Sequence, residues 1–323
     1  MKNITIGIDI GGTNTALGIV DTQGNCLEKR SIRTNSSQGA ESYAEGIAST
    51  IREMTGKVAY NLKGIGIGAP NGNYLRGTIE HAPNLDFEDI VPLTDLIGKY
   101  FDVPVLLTND ANAAAIGEYV YGGARGMRDF IMITLGTGVG GGVFVNGEML
   151  YGHDGFAAEL GHTTAIPGGR QCNCGKLGCL ETYCSANGLR RTVFELLASS
   201  NKPSLLRNFS FKDITSKEVF YKASEGDEIA LMAFDRTAEI LGKQMADFMA
   251  FSSPEAFFIF GGLAKAGDLL FNPLEKYFNN NLLTVYKNKA AIRKSELEEG
   301  NAAIVGASAL VMNALQSEWG VIK

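Results

Sequence analysis

Isoleucines at 4, 6, 8 and 10 alternate with Thr5, Gly7 and Asp9, a period of two that predicts a strand over residues 4–10. After Gly11-Gly12-Thr13-Asn14 the run T-A-L-G-I-V resumes strand character, so the chain opens with a hairpin. Tyr43, Ile47, Ile51 and Met54 then recur at helical spacing within 38–56, predicting a helix with one apolar face. Leu62 to Gly68 reads as a short buried strand that ends in the loop G-A-P-N-G, and residues 81–86, H-A-P-N-L-D, form a second polar loop. Val105 to Leu107 is a strand leading into T-N-D-A-N-A-A-A, and Phe130 to Leu135 and Val143 to Val145 are strands about a glycine-rich turn. Helices follow at Ala186–Ser199 and at 227–251, the latter with Leu231, Phe234, Ala238, Leu241, Met245 and Phe248 on one face. Residues 199–215, rich in Ser, Asn and Lys, read as a surface loop between them. Ala256 to Phe260 is an apolar strand running into Gly261-Gly262, and Ala302 to Leu315 closes the chain as a helix of small residues suited to tight packing. Strands alternating with helices place the chain in the α/β class.

Length and charge narrow the picture. A chain of 323 residues exceeds a comfortable single core and predicts two domains. A net charge of −6 argues against nucleic acid or an anionic membrane as partner. The longest apolar run, Phe130 to Val145, is broken by Gly136, Gly138, Gly140, Gly141 and Gly142 and does not read as a membrane span. Met1-Lys2-Asn3 leads straight into a strand pattern, so no signal peptide is expected. Four of the five cysteines bunch between 172 and 184, which fits a reducing cytoplasm better than a secreted disulfide framework.

The forty glycines cluster where chemistry is expected. Gly11 and Gly12 turn the first hairpin and would offer backbone N–H groups, with the Thr13 and Asn14 side chains, to an anion. An ordinary Gly-Gly hairpin is the bland alternative. Gly136, Gly138 and Gly141 formally match G-x-G-x-x-G, but that fingerprint needs a helix to open at its third glycine, whereas strand follows here. The segment instead repeats the strand–turn–strand unit seen at Gly11. Two such turns, in two similar domains, suit a polyphosphate held between them. Gly261-Gly262, at a strand's C-terminal end, marks a favoured ligand crevice or a plain βα turn. Asp110 stands where a strand meets a helix. There Asn109 or Asp110 serves as an N-cap, or Asp110 as a general base.

The stretch from Glu159 to Glu181 holds four soft ligands, His162, Cys172, Cys174 and Cys179, with an acid at each end. One His and three Cys suit tetrahedral zinc in a closed structural site, and Gly175 and Gly178 allow the turns that would gather them. A disulfide or a set of buried thiols is the alternative. With all four positions filled by protein, such a zinc would hold a loop rather than activate water. Cys26 and Cys184 read as packed thiols, with Cys184 a conceivable substitute ligand. His153 reads as a surface or hinge residue, and His81 as solvent-facing or touching substrate.

D-I-G-G-T-N-T at 9–15, N-D-A-N-A-A-A at 109–115, L-G-T-G-V-G-G-G at 135–142, E-L-G-H at 159–162 and C-N-C-G-K-L-G-C-L-E at 172–181 together resemble the ROK family (repressors, open reading frames, kinases), over essentially the whole chain. The resemblance implies an actin-like (ribonuclease H-like) fold of the hexokinase type, with two α/β domains about a cleft that holds ATP and sugar. Residues 1–118 plus 302–323 would form the smaller domain and 119–301 the larger one, which carries the zinc loop. It implies Asp110 as the base that takes the proton of the sugar 6-hydroxyl, and Asp9 near the Mg²⁺ of ATP. Gly11, Gly12, Thr13 and Asn14, with Thr137 and Gly138, would cradle the phosphates, and Gly261 and Gly262 would border the adenine. The sugar would be held by Asn84, Asn109, Asp110, Glu159, His162 and Glu181, with His162 serving both sugar and zinc. A cytoplasmic homodimer completes the expectation.

The expected activity is ATP-dependent phosphorylation of a hexose at its 6-hydroxyl, with glucose leading. N-acetylglucosamine, mannose, N-acetylmannosamine, allose and fructose remain open. A rival of another class is a non-catalytic sugar-sensing transcriptional regulator. Against it stand the presence of Asp110, the acidic chain, and the eight residues that precede Asp9, too few for a DNA-binding domain. A zinc hydrolase would need an open coordination position, which one His and three Cys do not leave. Two positions depart from the family pattern. Asn71 follows Pro70 where glycine is common, and Ala158 precedes Glu159 where glycine is frequent.

Overall fold

The computed structural model describes residues 1–319 except 57, 88 and 299. The chain runs through β1 (Lys2–Ile10), β2 (Asn14–Asp21), β3 (Cys26–Arg33), α1 (Ala40–Thr55), β4 (Tyr60–Gly68), β5 (Gly72–Asn73), β6 (Thr78–Glu80), β7 (Ile90–Val91), α2 (Leu93–Gly98), β8 (Val105–Thr108) and α3 (Asp110–Tyr121). It continues through β9 (Phe130–Leu135), β10 (Val139–Val145), β11 (Glu148–Met149), α4 (Glu181–Cys184), α5 (Ala186–Ser199), α6 (Ser216–Ser224), α7 (Glu228–Ser252), β12 (Ala256–Phe260), α8 (Asp268–Asn281), β13 (Ala291–Lys294) and α9 (Ala302–Trp319). It divides into two units. The first comprises 1–127, 142–158 and the chain from Ser295 on, the second 128–141 and 159–294.

In the first unit a five-stranded sheet has the order β3-β2-β1-β4-β8. The β1–β2 and β2–β3 pairs are antiparallel, and β1–β4 and β4–β8 are parallel. The alternation in β1 sorts its two faces. Ile4, Ile6, Ile8 and Ile10 join Tyr43, Ile47, Ile51 and Met54 of α1 in one buried cluster, as the two periodicities predict. The opposite face, with Thr5 and Gly7, receives α9, where Thr5 Oγ1 and Ser308 Oγ share a hydrogen bond of 2.6 Å.

Glycines in the strand centres let α9 sink onto this face. A Cβ at Gly66 would lie 1.8 Å from the carbonyl oxygen of Ala307, and one at Gly7 1.9 Å from that of Ile304. Backbone cannot rotate away as a side chain can, so the sheet and helix would have to part. Gly66→Ala is therefore expected to destabilise by about 3 kcal/mol, the upper end for overpacking a core, read as a lower midpoint in urea. An unshifted midpoint would show that the helix slides freely on the sheet.

The second sheet has the order β11-β10-β9-β12-β13, with β9, β12 and β13 parallel and β10–β11 antiparallel. It repeats the first sheet's plan of a hairpin beside parallel strands, so the recurrence of strand–turn–strand in the sequence reflects a recurring architecture. In the second unit α7 begins one residue after Asp227, whose Oδ1 accepts from the N–H groups of Ile229 and Ala230 at 3.1 Å. Gly242 brings α8 close, because a Cβ there would lie 2.8 Å from the Phe278 nitrogen. The 199–215 stretch is less of a free loop than its composition suggests, since Leu206 and Ile214 are buried.

Residues 142–158 fall with the first unit, whereas the sequence-based division kept 119–301 together. Packing explains the difference. Phe144 stacks on Tyr119 with centroids 4.7 Å apart, Tyr151 stacks on Tyr74 at 4.1 Å, and Asn73 Nδ2 donates to the Asp154 carbonyl at 2.8 Å.

Candidate active site

In the first unit, parallel pairing brings functional candidates to one end of the sheet. Asp9 of β1 lies opposite Gly68 of β4, and Gly68 opposite Thr108 of β8. Asp110 follows two residues later, so the two carboxylates sit roughly two strand spacings, or about 10 Å, apart at the backbone. Ends of parallel strands are where α/β sheets bind ligands. Gly68 keeps the gap between them clear. A Cβ there would touch Ala113 at 3.4 Å and the Asp110 Cα at 3.9 Å.

Of the two residues at 109–110, one caps the helix. Asn109 is the N-cap of α3, its Oδ1 accepting from the Asn112 N–H at 2.6 Å. Asp110 occupies the first helical position and accepts at Oδ1 from its neighbour Ala111, at 2.9 Å. Its side chain reaches solvent, yet the protein around it pushes its carboxyl above the ordinary 3.8, against the lowering effect of the Ala111 N–H. Asp9 is raised to about 6, first by burial and then by the charge of Asp110. Poor solvation and like charge both favour the protonated acid. Such a pair suits a cation beside one member and proton uptake by the other.

The Gly11–Asn14 turn is fixed from behind and open in front. Thr34 donates its N–H to the Thr13 carbonyl at 3.0 Å and its hydroxyl to that of Gly11 at 2.8 Å, while Gly12, Thr13 and Asn14 are exposed. Asn84, also exposed, sits against this turn. A Cβ on Gly12 would lie 2.9 Å from the Asn84 carbonyl oxygen. The structure thus brings Asp9, Gly11, Gly12, Thr13, Asn14, Asn84, Asn109 and Asp110 together within the first unit.

The second unit holds the other candidates in two interlocked groups. Thr137 and Gly138 turn from β9 to β10, and Gly261 follows the parallel neighbour β12, packed where a Cβ would lie 2.6 Å from the Leu135 carbonyl oxygen. Gly262 continues that turn. Glu181 Oε2 accepts the Val139 N–H at 3.1 Å, and a Cβ on Gly138 would meet the same oxygen at 2.4 Å. Gly161 of E-L-G-H packs against the Val139 carbonyl, 2.0 Å from where its Cβ would be. The glycine turn, Glu181 and the segment carrying Glu159 and His162 are therefore one packed assembly.

His162, Cys172, Cys174 and Cys179 place their ligand atoms within 4.8 Å of one another. Cys174 Sγ and Cys179 Sγ are 3.6 Å apart, and Cys172 Sγ is 3.7 Å from His162 Nδ1. Four ligands about 2.3 Å from one zinc sit about 3.7 Å from each other at tetrahedral angles, so the set fits that ion. A disulfide, at about 2.05 Å, does not describe it, and the five cysteines are all free. Burial raises the thiols of Cys172 and, to about 12, Cys179. Cys174 is shifted the other way, below its ordinary value, its thiolate favoured by the Lys176 N–H and the neighbouring thiols, and a soft dication would displace the remaining thiol protons. Gly175 and Gly178 have φ of 92° and 79°, the left-handed turns expected of them. Cys184 bonds the Thr237 carbonyl at 3.6 Å and Cys26 that of Glu28 at 3.6 Å, so both are packed thiols. His81 and His153 are exposed.

Sequence reasoning passed over Arg170. Its buried guanidinium grips Glu195, the carbonyls of Thr182 and Gly188, and Thr192 Oγ1, and it lies 4.4 Å over the Tyr183 ring. It braces the cysteine loop against α4 and α5. Nothing in its neighbourhood along the chain marks it, because its partners lie 12 to 25 residues away.

The sequence profile of the ROK family matches residues 5–314. A glucokinase of Halalkalibacterium halodurans is 38% identical over 313 residues, covering 95% of this chain and 94% of the relative. A ROK family glucokinase from Streptomyces griseus, solved in complex with glucose and AMPPNP, superposes with a TM-score of 0.78 at 34% identity over 96% of this chain and 99% of that one. A xylose repressor of Caldicellulosiruptor bescii is 28% identical over 97% of this chain and 79% of its own length. The α/β fold with two units is that of the sugar kinases, as the resemblance implied, and this chain belongs to the ROK family.

Proposed function

We propose that the protein is a glucokinase, transferring the γ-phosphoryl group of ATP to the 6-hydroxyl of glucose. The observation that carries this is the pair Asp9 and Asp110 at the ends of β1 and β8, beside the exposed Gly11–Asn14 turn. The glucokinase relatives, at higher identity than the repressor, support it.

Phosphoryl transfer passes through a loose transition state, so catalysis is mainly positioning and charge stabilisation. Asp110 accepts the proton of the attacking hydroxyl; its raised pKa makes it a stronger base than a free aspartate. Gly11, Gly12, Thr13 and Asn14 offer phosphate oxygens their backbone and side chains in the first unit, Thr137 and Gly138 do so in the second, and Gly261 and Gly262 border the adenine. Asn109 spends its oxygen on the helix cap, which leaves its amide N–H₂ for a sugar oxygen. Asn84, Glu159, His162 and Glu181 supply further hydrogen bonds to the sugar hydroxyls.

Asp9 would hold Mg²⁺, which when bound neutralises phosphate charge. Zinc, held by His162 Nδ1 and the three thiolates, would fix the 159–181 segment. It would leave His162 Nε2 free for a sugar hydroxyl, in the way metal-bound imidazoles use their second nitrogen. No described helix is long and apolar enough to cross a membrane. A cytoplasmic homodimer belongs to this reading through the family resemblance.

The test is ADP release, coupled to a reporter reaction, across glucose, mannose, fructose, allose, N-acetylglucosamine and N-acetylmannosamine. Glucose is expected to show the highest kcat/KM. A higher value for an N-acetylhexosamine would move the substrate, and no ADP release with any sugar would favour the sensing role.

A further inference from the structure

The loop that carries Asn84 is held where it begins by a residue outside the contacts already assigned. Asn71 adopts a left-handed backbone, φ 50°, a conformation asparagine tolerates better than most side chains. That turn gives Asn71 two bonds to the strand beside it. Its carbonyl accepts the Glu80 N–H at 3.2 Å, and its Nδ2 donates to the His81 carbonyl at 3.1 Å.

The anchor is rigid on the β6 side. The Glu80 carboxylate is buried and bonded by Thr78 Oγ1 at 2.6 Å and by Arg76 Nη1 at 3.1 and 3.2 Å. His81 is itself left-handed, φ 50°, and gives its N–H to the Asp89 carbonyl at 2.7 Å. From there the loop has three further fixed points. Leu85 is buried, the Asp86 N–H donates to Ser36 Oγ at 3.0 Å, and Asn84 abuts Gly12. The His81 carbonyl, where the chain leaves β6 three residues before Asn84, is thus tied by the Asn71 side chain.

We propose that Asn71 is a positioning residue for sugar binding: its carboxamide fixes the His81 carbonyl and so sets where Asn84 stands over the Gly11–Asn14 turn. The inference rests on the reading of Asn84 as a sugar ligand. It places part of the sugar affinity in a residue to which no direct sugar or nucleotide contact is assigned.

Asn71→Asp and Asn71→Gly test it. Both residues accept positive φ, so the turn and the Asn71 carbonyl bond persist, while neither side chain can donate to His81. Glucose KM is expected to rise about three- to tenfold in both, the range that one hydrogen bond carries. Values of kcat and of the nucleotide KM should stay within about twofold of wild type by the same reckoning. Asn84→Ala is measured alongside. If it raises glucose KM while both Asn71 variants keep the wild-type value, the inference is overturned and the reading of Asn84 stands. If Asn84→Ala leaves glucose KM unchanged, that reading falls and takes the inference with it. Equal rises in glucose and nucleotide KM in the Asn71 variants would indicate general loosening and also overturn it.

Discussion

Asp110→Asn should lower kcat by about 10³-fold, within the range for removing a general base, while glucose and nucleotide still bind. The substitution is mild for the fold. An asparagine oxygen can still accept the Ala111 N–H that now bonds Oδ1, and the helix cap belongs to Asn109. The pH profile sharpens the prediction. Only the ionised carboxylate takes a proton, and desolvation by the protein around it lifts the Asp110 carboxyl above 3.8, so acid silences the enzyme at a higher pH than an ordinary aspartate would. Wild-type kcat/KM should therefore rise with pH through a limb displaced upward from 3.8, and the residual activity of Asp110→Asn should lack that limb. Undiminished turnover in the variant would move the base elsewhere. An unchanged limb would assign the titration to another group, with Asp9, raised to about 6, as the first alternative.

Cys172→Ser should abolish tight metal binding and lower stability by about 4 kcal/mol, the scale on which losing a structural metal acts. Cys172 is buried, 3.7 Å from His162 Nδ1 and 4.0 Å from Glu181 Oε1. Its loss therefore reaches two groups assigned to the sugar as well as the ion. Zinc content after dialysis should fall from about one equivalent per chain to none, as expected when one of four ligands to a closed site is removed. Glucose KM should rise, because His162 and Glu181, both assigned to the sugar, lie against Cys172. One equivalent of zinc retained in Cys172→Ser would remove that residue from the ligand set. Retained sugar affinity in a zinc-free variant would separate the metal from the pocket wall.

Several elements were legible without coordinates because short-range physics decides them. Alternation in Ile4–Ile10 made a strand whatever it paired with. The Asp110 segment follows strand with an alanine-rich helix, and Cys172, Cys174 and Cys179 lie near enough in sequence for two glycine turns to gather them. Other elements hid for local reasons. Helix α8 carries Pro273 inside it, and β13 spans four residues, A-I-R-K, with no fully buried position, so neither announced itself by period.

The chain by itself determined the α/β class, the two glycine turns, the carboxylates at 9 and 110, and the His–Cys₃ set, because each rests on residue type and near spacing. Only the tertiary structure decided which candidates stand together. Parallel register between β1, β4 and β8 put Asp9 and Asp110 at one edge. Aromatic stacking drew residues 142–158 into the first unit. Arg170 became a brace through partners on two helices. The left-handed backbones of Asn71 and Ala158 likewise depend on where their flanking segments are held. Those facts are contacts between distant parts of the chain, and no period or motif within a segment encodes the partner that will meet it.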